Sequence, residues 1–109
     1  MLLKIKNPDQ YKEIEFPVKF PFFRHKVVDE DHDIYYRFDS IHKIMIMETK
    51  MSSTVITIYD DVNSDHPISA DIFTEDMLNG SYSFNEITEK VFTDEYNRFI
   101  TSLAKHLSI

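Results

Sequence analysis

The stretch Lys43–Asp61, KIMIMETKMSSTVITIYDD, decides how this chain folds. Ile44 to Met47 are apolar at four consecutive positions, so an extended segment here must bury both of its sides, as a central strand does. From Ser52 onward, Thr, Val and Ile dominate, and their branched side chains suit a pleated surface better than a helix. The short link through Thr49 to Ser52 predicts a hairpin between the two halves.

Upstream, Ile34, Tyr36 and Phe38 alternate with Tyr35, Arg37 and Asp39, the pattern of a half-buried strand. Further back lies Glu15–Phe23, EFPVKFPFF. If it is extended, Phe16, Val18, Phe20 and Phe22 share one face, and Pro17 and Pro21 delete ladder donors along a single edge. This predicts an edge strand with a buried Phe/Val face; the alternative is an exposed aromatic docking segment. Arg24 to Val28 either extends it or begins another strand. Leu2 to Lys6 reads as a short strand followed by a turn near Pro8.

Downstream, Pro67–Thr74, PISADIFT, alternates again, with Ile68, Ala70 and Ile72 on one face. Asn79-Gly80-Ser81 reads as a turn. The period then changes. Ser83 with Glu86 forms a capping-box pattern, and Phe84, Ile87, Val91 and Phe92 make one apolar stripe. A second stripe, at Tyr96, Phe99, Ile100, Leu103 and Leu107, is rotated by about a third of a turn. One straight helix would bury both stripes poorly, so a break is expected near Thr93. Glu86 with Lys90, and Asp94 with Arg98, are spaced for ion pairs along the wet face.

These elements predict an α+β fold: an antiparallel sheet of five to seven strands in a meander, packed by a C-terminal helix or broken helix pair. A strongly curved sheet capped by a terminal helix, of the pleckstrin-like type, is one such arrangement, and it implies no activity. A chain of 109 residues, 42% of them hydrophobic, fits a single domain over 1–109 with a real core.

Composition narrows the chemistry. Gly80 is the one glycine, too few for a phosphate-cradling loop or a nucleophile elbow. The chain has no cysteine, which suits a reducing, cytoplasmic setting and removes thiolate chemistry. No run approaches the roughly 18 apolar residues of a membrane span. His25, His32 and His66 lie near carboxylates, yet no helical pair or third ligand is predictable, so surface histidines are expected. Asp61, Asn63 and Asp65 alternate like the start of a calcium loop, but His66 and Ile72 stand where glycine and a bidentate glutamate are needed. Met45, Met47 and Met51 read as core filling rather than as an adaptable binding surface. The carboxylates of DEDHD (Asp29–Asp33) are expected in loops, where no burial raises their pKa. No enzyme, metal or cofactor is expected.

Charge carries the functional expectation. Residues 1–28 hold six basic and three acidic side chains; residues 29–76 hold three and twelve; residues 77–109 hold three and four. The middle of the chain is thus net −9. Such a surface opposes nucleic-acid binding and attracts a basic protein. In size and acidity the chain resembles small acidic bacterial immunity proteins. The expected function is therefore a protein inhibitor (immunity protein, antitoxin or phage-encoded blocker) that occupies a basic cleft such as that of a nuclease toxin. Its binding residues would be Asp29, Glu30, Asp31, Asp33, Asp60, Asp61 and Asp65, with Tyr35 and Tyr59 as anchors. The alternative is an adaptor or structural subunit that uses a strand edge or the Phe/Pro segment. A homodimer is compatible with either.

Overall fold

A computed structural model describes residues 2–7, 12–60, 75–80 and 84–107. In chain order the elements are β1 (Leu2–Asn7), β2 (Lys12–Pro17), β3 (Phe22–Asp29), β4 (His32–Ser40), β5 (Lys43–Lys50), β6 (Ser53–Asp60), α1 (Glu75–Asn79), β7 (Phe84–Glu86) and α2 (Glu89–Leu107). β1 and β2 form a separate hairpin; the other five strands form one open antiparallel sheet in the order β6-β5-β4-β3-β7. β3 to β6 are a meander with two-residue connections, Glu30-Asp31, Ile41-His42 and Met51-Ser52. The expected α+β architecture is the observed one.

The pleat sorts side chains to two covered faces. On one, Phe22, Phe38 and Ile44 lie in cross-strand register, and Phe22 stacks on Phe38 with ring centroids 4.3 Å apart. Phe38 and Ile44 are fully buried, with Val18 and Met77 closing over them. Burying a side chain of this size contributes about 1.5–3 kcal/mol. The other face is covered by α2, whose Phe92 packs 5.6 Å from Phe23; Met47 is buried beneath it.

Several expectations are corrected. EFPVKFPFF is not an edge strand. It spans the end of β2, a break at residues 18–21 with a cis Phe20–Pro21 bond, and the start of β3, an inner strand flanked by β4 and β7. Val18, Phe20 and Phe22 nevertheless join the core as their shared face implied. Phe84–Glu86 is a strand, not the start of the helix, because it pairs with Arg24–Lys26. Helix α2 starts at Glu89, and Thr88 caps it by accepting the Val91 N–H at Oγ1 over 3.2 Å. It runs unbroken to Leu107. Glu86 therefore faces Arg24 rather than Lys90, Lys90 pairs with Asp94, and Arg98 pairs with Glu95. Met51 is 77% exposed instead of filling the core. The PISADIFT strand, the Ser83 cap and the Asp61–Asp65 motif lie outside the described residues.

Candidate protein-interaction surface

One end of the sheet gathers four of the expected binding residues. Asp29 to His32 reverse the chain between β3 and β4, and a bulge at Val28 shifts the register just before the turn. The Asp29 carboxylate accepts the Asp31 N–H over 2.9 Å, so Asp29 shapes the turn as well as charging it. Asp29, Glu30 and Asp31 are all exposed. The Asp31 carbonyl accepts the Met51 N–H over 2.6 Å, which ties this turn to the β5–β6 hairpin tip. Met51 adopts φ +57° there, a left-handed conformation unusual for a side chain of its size.

Behind the tip, two histidines face carboxylates. His32 meets Glu48, and His25 lies 3.4 Å from Asp33 while its ring stacks on Tyr35 at 4.3 Å. Asp33 and Glu48 thus have histidine partners, whereas Glu30 and Asp31 are exposed. The exposed side chains around the turn include Val27, Val28 and Met51, so apolar surface lies among the carboxylates.

The other expected residues are placed elsewhere. Tyr35 is half-buried under α2, where it lines a cleft of about 220 Å³ with Met47, Thr49, Thr54, Glu95 and Arg98. Burial raises its phenol pKa, and the negative charges of Glu95 and Asp33 push it further up. Tyr59 and Asp60 are exposed at the far end of β6, with Asp60 opposite Lys43. They stand about 20 Å along the strand from the acidic turn. Asp61 and Asp65 lie outside the described residues.

Sequence reasoning missed two features. The exposure of Met51 follows from its place in a two-residue turn, which the hairpin reading already implied. The other is Arg24, buried beneath α1. It donates from Nε to the Met77 carbonyl at 2.6 Å and from Nη2 to the Leu78 carbonyl at 2.8 Å, and it covers the Phe22 ring. Desolvation lowers its pKa, opposed by Glu86. No sequence signal marked this arginine, because its partners are backbone groups. Among the described residues no three His, Asp or Glu side chains converge as a metal site would require, and no helix is long and apolar enough to cross a membrane.

Compared with protein-family models, curated proteins and solved structures, the chain matches none.

Proposed function

We propose that this chain is a non-enzymatic protein inhibitor, working as an immunity protein, antitoxin or phage-encoded blocker does, which presents the acidic end of its sheet to a basic partner such as a nuclease toxin. The observation that carries the reading is the joining of the Asp29–Glu30–Asp31 turn to the exposed Met51 tip through the Asp31–Met51 backbone bond. Carboxylates that stand where a cleft expects phosphates give charge complementarity and fast association. Exposed Met51, tied to Asp31 through its backbone, and exposed Val28, at the bulge before the turn, supply the adaptable apolar anchor that affinity needs. Tyr59 and Asp60 form a second, separate patch. A cysteine-free chain is compatible with work in the cytoplasm.

Affinity capture by the tagged protein from its own cell lysate, at low and high salt, tests the reading. A stoichiometric basic protein released by salt supports it. A partner held equally at both salt concentrations points instead to an adaptor that uses an apolar edge.

A further inference from the structure

Strand β6 ends the sheet, and among the described residues nothing pairs with its outer side. Edge strands are normally guarded by lysine, proline, a bulge or shortness. β6 has none of these: Ser53–Asp60 carries one charge, at its last residue, and pairs with β5 over eight residues with no register shift. Val55 and Ile58, which point to opposite faces, are 60% and 56% exposed. With a two-residue loop closing Lys50 on Ser53, alternation turns the backbone groups of Thr54, Ile56 and Ile58 toward the open side.

Helix α2 supplies an independent observation. Its Phe92 packs on Phe23 of β3, Tyr96 lines one cleft with Arg37 and Met45 of β4 and β5, and Ser102 lines another with Thr54 of β6. Phe23 is in register with Ile58 of β6 through Arg37 and Met45, so Thr54 lies four residues, about 14 Å, further along the strand, and α2 approaches the β6 edge on a diagonal. Leu103 lies within about 20° of Phe92 around the helix, on the sheet-facing stripe, yet it is 41% exposed. Apolar surface of the stripe is thus left uncovered toward β6, the last strand of the sheet among the described residues, and a strand added beside β6 would meet it.

We propose that this strand is β6 of a second copy, paired antiparallel about a two-fold axis at Thr57. The edge is self-complementary in that register. Ile56 meets the partner's Ile58 on the helix-bearing face, Val55 meets the partner's Tyr59 on the other, and Asp60 falls opposite the partner's Thr54, so no like charges face each other. A one-residue slip would set each face against its opposite. A two-residue slip centred on Ile56 would keep one apolar pair, Ile56 against the partner's Ile56, but set Val55 against the partner's Thr57, Thr54 against the partner's Ile58 and Ser53 against the partner's Tyr59. The dimer does not depend on the acidic turn.

Light scattering of the full chain together with a cysteine probe tests this. The wild type is expected at about 26 kDa, twice the 13.0 kDa chain. Because the sequence has no cysteine, Thr57→Cys adds a single thiol on the axis and should oxidise to a covalent dimer, whereas Thr101→Cys on α2 should not. Ile58→Lys should return the mass to one chain with an unchanged circular dichroism spectrum, and Asp29→Lys/Glu30→Lys/Asp31→Lys should leave the dimer intact. A wild type that stays monomeric at the highest attainable concentration overturns the proposal. So does a dimer that survives Ile58→Lys with no cross-link at Thr57→Cys.

Discussion

Arg24 donates from Nε to the Met77 carbonyl across 2.6 Å, joining residues 53 positions apart. With Nη2 on the Leu78 carbonyl at 2.8 Å, one guanidinium satisfies two backbone acceptors at the end of α1, acceptors that a five-residue helix cannot pair within itself. The same group lies 3.5 Å from Glu86, so β3, α1 and β7 meet at one buried cation. Arg24→Ala removes every one of these bonds and strips the two carbonyls of their guanidinium donor; it should cost about 3–5 kcal/mol in urea unfolding. Arg24→Lys should recover only part of that loss, because an ammonium cannot span both carbonyls in one plane.

Gly80 follows α1 with φ +64°, and a Cβ built there would stand 2.6 Å from Glu86 Cγ. Gly80→Ala should therefore destabilise by about 1–2 kcal/mol from backbone strain. Glu86 must also move, and the double variant Gly80→Ala/Glu86→Ala should lose less than the sum of its parts.

Tyr36 lies in the core beside Phe38 and Phe84, where desolvation raises its phenol pKa and Glu48 raises it further. The neutral phenol is thus favoured more in the folded chain than in the unfolded one. Its contribution is complete below the unfolded pKa of about 10 and is lost as pH rises through the higher folded value. Thermal stability should fall on the alkaline side, and Tyr36→Phe should flatten that limb while leaving neutral-pH stability nearly unchanged.

Thr88 accepts the Val91 N–H at the start of α2. Thr88→Ala should cost about 1 kcal/mol, while Thr93→Ala, inside the unbroken helix, should remove no cap. Calorimetric melting of the two variants separates these sites.

What could be read from the sequence follows from how local each signal is. The alternation of Ile34, Tyr36 and Phe38 and the apolar run Ile44–Met47 report burial on the strand itself, so β4, β5 and β6 were legible. β7 was not, because three residues carry no periodicity and Phe84–Glu86 becomes a strand only by pairing with β3. The two apolar stripes predict a break near Thr93, but Phe84 and Ile87 of the first stripe lie before α2, which runs as one helix from Glu89 to Leu107. The helix leaves Val91, Ile100 and Leu103 partly exposed instead of breaking. The acidic segment was legible as charge, but not as geometry: the meander sends Asp29–Asp31 to one end of the sheet and Asp60 to the other. Pro17 and Pro21 misled for a related reason, since a shared face does not require a single unbroken strand.

The central claim is that recognition resides in the acidic turn. The measurement that tests it most directly compares partner capture by the wild type with capture by Asp29→Lys/Glu30→Lys/Asp31→Lys, after circular dichroism shows that both are folded. These three side chains are exposed and belong to the turn whose Asp31 carbonyl holds the Met51 N–H, so charge reversal should lower the yield of a basic partner at least about tenfold at low salt. Equal yields from the two proteins would contradict the account.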